Sequence, residues 1–390
     1  MKAVVLVGGF GTRLRPLTLH TPKQMLPMVG VPMIERVVAA LAGCGVTDAI
    51  LSLGYRPDAF LEAYPDDLCA GVHLHYAVEP EPLDTAGAVR FAALDAGLDS
   101  RFLVVNGDVL TDLDVKALWD FHLAAGAEGT IALTRVDDPS RYGVVPIDTE
   151  GRVEAFVEKP APGTAPSHWI NAGTYVLEPS VLDRIPAGGK VSIERSTFPA
   201  MVADGTLFAL HSDAYWVDAG TPATYLQSQL DLVDGTRATE VAVDPGAAVD
   251  PTAKVDHAVV YHGVRVGPGA TVENAALLPG SVIGANAIVR DSIVGPAAEV
   301  GDGAELSELT VVGAGERVPT GAVLAAARVP QPDDARPTRA PLVWQPLRRA
   351  SAPAAGSVGG REGSTWRTGR AADIGARMTI GRPGRTPPPP

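Results

Sequence analysis

Five short stretches carry side chains suited to phosphate and sugar chemistry. The first is GGFGTRLRP, where Gly8, Gly9, Gly11 and Thr12 run into Arg13 and Arg15, with Lys23 following in TPKQMLP. A glycine-rich turn after a strand presents backbone N–H groups that no side chain covers, and such a nest holds phosphate oxygens. The turn has neither the GK[ST] nor the GxGxxG pattern, so alone it also fits a simple tight connection. Arg13 and Lys23 beside it favour an anion. The second is NGD at 106–108, at the end of an apolar run. In open α/β sheets ligands sit at the carboxyl ends of strands, and Asp108 there would hold Mg²⁺. As a helix cap it lies too far upstream, and Asp112 or Asp114 suits that task better. The third is YWVDAGT, where Asp218 reads as a second metal ligand or as a cap, although Thr221 can do the capping. The fourth is VEKP. Glu158 and Lys159 read either as solvated charge or as an acceptor for sugar hydroxyls and a cation for a sugar phosphate. The fifth pairs RYGVV with INAGTY: Gly143 and Gly173 permit close backbone approach, and Asn171 offers donor and acceptor to a hydroxyl-rich ligand.

The elements that must position these groups alternate along residues 1 to about 235. Lys2–Val7 is a continuous apolar run, as expected of a strand buried on both faces. Pro32 opens an amphipathic stretch that stops at Gly43 and Gly45. TDAILSL, VHLHYAV and RFLVVNGD read as strands. TAGAVRFAALD, VKALWDFHLAA, SIERSTFPAMVADG and TPATYLQSQLDLV read as helices. This order predicts an α/β fold with a Rossmann-like, doubly wound mixed sheet.

Near Val241 the pattern changes. Aliphatic residues recur at Val243, Val249, Val255, Val260, Val266, Val272, Leu278, Ile283, Val289, Val294, Val300, Leu306, Val312, Val318 and Leu324. The step is six, with three steps of five, and glycine follows at Gly267, Gly284, Gly295, Gly301 and Gly313. These are hexapeptide repeats, which predict a left-handed parallel β-helix over 241–327. Residues 328–390 are rich in Pro, Ala, Arg, Gly and Ser and read as a disordered basic tail.

The chain of 390 residues carries a formal charge of −13. Residues 328–390 hold eleven arginines and four acids, so residues 1–327 carry −20. An acidic body of that size repels nucleic-acid phosphates, but leaves room for a local positive pocket. Two isolated cysteines, Cys44 and Cys69, suggest reduced thiols and a cytoplasmic protein. No signal peptide is evident, and no run approaches the ~18–20 apolar residues of a membrane span.

The stretches VGGFGTRLRPLT, TPKQMLPMVGVPMIE, EPLDTAGAV, NGDVLTDLD, YGVV, FVEKP, INAGTYVL, SIERSTFPAMV and YWVDAGTP occur together in one order over 1–235. In this the chain resembles the sugar-phosphate nucleotidyltransferases, and most of all the mannose-1-phosphate guanylyltransferases, which also carry a hexapeptide β-helix. The resemblance implies that Gly8, Gly9, Gly11, Thr12 and Arg13 bind a nucleoside triphosphate and that Lys23 reaches its phosphates. It implies that Thr85, Ala86 and Gly87 line the base and ribose pocket, and that Asp108 and Asp218 hold Mg²⁺. Gly143, Glu158, Asn171 and Gly173 would hold a sugar, and Lys159 its phosphate. The implied reaction joins GTP to mannose-1-phosphate, giving GDP-mannose and pyrophosphate. The alternatives are a thymidylyl- or uridylyltransferase of glucose-1-phosphate, a non-catalytic nucleotide-sugar sensor, and a β-helix with acyltransferase activity served by His257 or His262. Stacked β-helices often assemble, so a homo-oligomer is expected. Two positions depart from the family pattern: Asp84 stands where many relatives carry Gly, and Gln24 where many carry a second Pro.

Overall fold

The computed structural model describes residues 1–54 and 56–331, so the tail expected at 328–390 lies, from residue 332 on, outside the described residues. The longer strands of the first part position the site. They are β1 (Lys2–Leu6), β2 (Asp48–Leu53), β3 (Val72–Val78), β4 (Phe102–Asn106), β5 (Val109–Thr111), β6 (Gly129–Arg135), β7 (Trp169–Leu177), β8 (Leu207–His211) and β9 (Trp216–Asp218). The main sheet runs β7–β4–β1–β2–β3, extended beyond β7 by Gly143–Val144 and Val157–Glu158. Strands β4, β1, β2 and β3 are parallel, and β7 is antiparallel to β4, so the sheet is mixed as expected. After Lys2, β1 is apolar because it faces two cores. Ala3 and Val5 pack with Leu51 and Leu103 on one side, and Val4 packs with Ile50 and Val104 on the other.

Helices α1 (Met33–Gly43), α2 (Asp84–Asp95) and α3 (Val115–Ala125) connect strands of this part, and α4 (Pro222–Asp231) follows the last strand and packs Tyr225, Leu226 and Leu230 into the cluster of the later coils. Asp114 caps α3 by accepting from Ala117 N at 2.9 Å. Thr221 caps α4 in a reciprocal pair with Thr224, which leaves Asp218 without that task. The SIERSTFPAMVADG stretch differs from a single α-helix. Ile193–Thr197 form a wider π turn and a short α-helix begins at Phe198, where Pro199 has no N–H to give to the preceding turn.

From Ala248 the chain winds into parallel coils, the architecture the hexapeptide period predicts. Val249, Val266, Ile283, Val300 and Val318 stack in register on one face. Three of these coils span 17 residues rather than 18, because one corner is always a residue short. His257, Asn274 and Asp291 occupy that corner with φ of 44°, 47° and 44°. Asn274 bridges its neighbours there, meeting His257 at 2.5 Å and Asp291 at 3.2 Å. His257 also meets Asp234 at 3.1 Å, so it is tied into the corner. The short corner shifts one expected position: Leu277, not Leu278, lies in register with Val260 and Val294, although both leucines are fully buried. The last strand, Arg328–Val329, pairs with Val311–Val312, so the coils run two residues past 327.

The β-helix shares a hydrophobic cluster with the segment after the glycine loop. Leu14, Leu17, Leu26 and Met28 belong to the same cluster as Val260, Val294 and Val312. Tyr261 ties the parts together, accepting from Val29 N at 2.7 Å and donating to Gln229 Oε1. A Cβ built on Gly313 would lie 3.1 Å from Pro16 Cβ, so the fourth coil rests directly on the loop. No helix among the described residues is long and apolar enough to cross a membrane.

Candidate active site

The parallel register decides what meets at the carboxyl edge of the sheet. Leu6 of β1 pairs with Ser52 and with Asn106, so the loops that follow β1, β2 and β4 emerge side by side. Gly107 sits so close to β1 that a Cβ there would lie 2.6 Å from Val7 Cγ1. Asp108 is thereby set beside the glycine loop. Strand β9 pairs antiparallel with β5, and Ala219 N donates to Asp108 O at 3.0 Å, which brings Asp218 to the same spot.

In the glycine loop, Gly9 has φ 100° and Gly11 φ 58°, conformations that glycine adopts without strain. Gly11 O accepts from Thr18 Oγ1 at 2.7 Å and from Leu14 N at 2.9 Å, which fixes the turn that leads into Arg13. A Cβ built on Gly220 would lie 2.7 Å from both Arg13 Nη2 and Asp218 Oδ1. The guanidinium of Arg13 and the carboxylate of Asp218 thus flank one bare glycine. Lys23 Nζ is bound to Asp108 Oδ2.

Arg13, Lys23, Asp108 and Asp218 are therefore one cluster. Burial, then the Asp108 charge, pushes Asp218 above the ordinary carboxylate range, against the pull of Lys23 and Arg13. Asp218 Oδ1 is buried and has no hydrogen-bond partner. A buried carboxylate oxygen left bare beside a second carboxylate suits a hard divalent cation. No group of three or more His, Cys, Asp or Glu residues able to hold a metal occurs among the described residues, and Asp108 and Asp218 are the two carboxylates that meet in this cluster.

The residues expected to hold a sugar lie on the other flank, where most of their polar groups have protein partners. Lys159 has φ 49° and its ammonium pairs with Glu158 at 2.6 Å. Asn171 donates to Tyr175 OH at 2.8 Å and accepts from Gly173 N at 2.9 Å. Gly173 has φ 73°, and a Cβ there would lie 2.5 Å from Asn106 Nδ2, so the NAG and NGD motifs interlock. Gly143 is bare because Phe156 lies against it, 2.6 Å from where a Cβ would be. Tyr142 and Trp216 meet edge to face at 5.7 Å in this region.

Thr85, Ala86 and Gly87 bind the segment around Val191–Glu194. Thr85 Oγ1 donates to Glu194 Oε2 at 2.7 Å and accepts from Ile193 N at 2.8 Å. The amides of Ala86 and Gly87 donate to Val191 O at 2.8 and 3.2 Å. These three residues lock the start of α2 to the SIE segment. Asp84 stands at φ 61°, a conformation that glycine adopts without strain, and its carboxylate accepts from Thr85 N at 2.8 Å.

Sequence reasoning overlooked Gly220, Glu79 and Glu194. Glu79 follows the end of β3 as Asp108 follows the end of β4, and that placement is the available signal. Its Oε1 accepts from Ser52 Oγ at 2.9 Å and lies 3.6 Å from where a Gly8 Cβ would be, and its Oε2 accepts from Leu83 N at 3.1 Å.

Two substitutions follow. Gly220→Ala is expected to displace Arg13 and Asp218 and lower turnover ~10- to 100-fold, the size of effect a misplaced catalytic group has. Its melting temperature should hold, because the displaced atoms are side-chain ends; an unchanged turnover would show that the flanking pair is not used. Gln24 is 1% exposed and neither of its amide atoms has a partner. Gln24→Met keeps the volume and removes both unpaired groups, so thermal denaturation should show a gain of about 1–3 kcal/mol.

Residues 2–235 match the nucleotidyl transferase family, and residues 237–333 match the family described as the GMPPB C-terminal domain. A mannose-1-phosphate guanylyltransferase of Mycobacterium tuberculosis is 40% identical over 291 residues, covering 67% of this chain and 80% of its own. A mannose-1-phosphate guanyltransferase of Emericella nidulans is 43% identical over 271 residues, covering 65% of this chain and 73% of its own. Among solved structures, HddC from Yersinia pseudotuberculosis complexed with GMP-PN is 33% identical with a TM-score of 0.51, covering 58% of this chain and 97% of its own.

Proposed function

We infer the reaction from one premise: this chain belongs to the nucleotidyl transferase family. It joins a nucleoside triphosphate to a sugar-1-phosphate and releases pyrophosphate, and the pair we propose is GTP with mannose-1-phosphate, giving GDP-mannose. The observation that carries this reading is the meeting of Arg13, Lys23, Asp108 and Asp218 at the mouth of the glycine loop. The relatives named above act as precedents for the substrates. Glu79 supports the base: guanine offers two donors on one edge, N1–H and the exocyclic amine, which a carboxylate accepts. Uracil and thymine place a single N–H between two carbonyls, which a carboxylate repels.

The phosphate oxygen of the sugar-1-phosphate attacks the α-phosphorus in line. A P–O bond forms there as the α–β bridging bond breaks, and pyrophosphate leaves with the electron pair. The nucleophile is already an anion, so no side chain need take a proton. The difficulty is the approach of negative charges. The Gly8–Thr12 amides, Arg13 and Lys23 reduce that repulsion along the triphosphate, and Lys159 does so at the sugar phosphate. Asp108 and Asp218 would hold Mg²⁺, which supplies further neutralisation and orientation when bound. Glu158 and Asn171 would accept from and donate to the sugar hydroxyls.

The test is pyrophosphate release over a matrix of triphosphates and sugar-1-phosphates, with and without chelator. GTP with mannose-1-phosphate should lead; a lead by UTP or dTTP overturns the base, and binding without release overturns catalysis. In the same assay Asp84→Gly should leave the nucleotide preference unchanged, because the Asp84 carboxylate is exposed and spent on Thr85 N.

A further inference from the structure

The two carboxylates of the site carry unequal company. Asp108 is bound directly to the Lys23 ammonium, with both side chains largely covered at 13% and 14% exposure. Asp218 Oδ1, beside it, has no partner at all. A divalent cation entering the free protein would have to push the ammonium off Asp108. It would then meet two carboxylates, well short of the roughly six oxygens that Mg²⁺ takes. A triphosphate lying along Gly8–Thr12 changes both terms. Its oxygens attract the ammonium, which sits on a flexible four-carbon stem, and they also supply ligands to the ion.

We propose that Lys23 is the resident counter-ion of the metal site: in the free enzyme its ammonium occupies the place of the divalent cation, and the nucleotide draws it away. This rests on Asp108 and Asp218 being the metal ligands. In the free enzyme Lys23 keeps two neighbouring carboxylates from facing each other unscreened. During binding it makes the cation enter together with the nucleotide rather than ahead of it. Lys23 thus has two positions, one on Asp108 and one on the triphosphate.

The experiment is a Mn²⁺ titration of the full chain without nucleotide, read by the electron paramagnetic resonance of the free ion. It compares the wild type with Lys23→Met, Lys23→Arg and the double variant Lys23→Met/Asp108→Asn, with circular dichroism to confirm folding. Lys23→Met should bind Mn²⁺ about tenfold more tightly or better, the size of effect a neighbouring cation has on a carboxylate's affinity for a proton. Lys23→Arg keeps the charge and should bind as weakly as the wild type. A merely structural lysine would change thermal stability and leave Mn²⁺ affinity where it was. Equal affinity in wild type and Lys23→Met, with binding lost in the double variant, overturns the proposal and leaves the carboxylates as ligands. A gain that survives Asp108→Asn overturns the ligand assignment itself.

Discussion

Asp108→Asn stops nucleotidyl transfer, lowering kcat by about a thousandfold or more, while the protein melts no earlier than the wild type. Loss of activity is expected on the proposal that Asp108 and Asp218 hold the cation. An amide in place of one of two carboxylates would halve the protein's charge on that ion. Retention of stability follows from the electrostatics of the pair. Asp108 raises the cost of ionising its buried neighbour Asp218, so removing the Asp108 charge relieves a repulsion that the fold carries. The loss of the Lys23 ion pair offsets part of that relief. Pyrophosphate release and differential scanning fluorimetry on the same preparation check both halves. Turnover within tenfold of the wild type would remove Asp108 from the chemistry.

Arg13→Ala is the second large effect, with kcat lowered by about a thousandfold and a smaller change in KM. Arg13 is exposed, so its truncation costs the fold little. Its guanidinium nevertheless lies against Gly220, with Asp218 on the other side of that glycine, where phosphate charge would gather during transfer. Arg13→Lys should recover only part of the loss, because a single ammonium lacks the planar fork that spans two oxygens. Steady-state kinetics decide the point. A change confined to KM would place Arg13 in ground-state binding rather than in the transfer step.

The alternation of strand and helix was readable because apolar periodicity is a local property, and β1 reads as buried on both faces from five residues alone. The coil period was readable for the same reason. Its phase at Leu277 was not, because the short corner at Asn274 is set by stacking on His257 and Asp291, 17 residues away on either side. At the site, the aspartates and the glycine loop stood out by residue type at strand ends. Gly220 did not, since its importance lies in being bare between Arg13 and Asp218, which are far from each other in the chain. The same holds for Thr85, whose hydroxyl is claimed by Glu194, 109 residues on. In each case the signal lies in a contact between distant residues, which residue type does not carry.

The rear of the glycine loop is clad by the β-helix. Leu14, Leu17, Leu26 and Met28 are each under 5% exposed, and they share one cluster with coil residues. Exposing a side chain of this kind costs roughly 1.5–3 kcal/mol. Four of them approach the ~5–15 kcal/mol that holds a whole domain folded. The boundary near residue 235 therefore separates two sequence families but not two folding units. On heating, the coils and the sheet are expected to melt in a single cooperative event, and a chain cut at that boundary would lose the wall that keeps its own loop in shape.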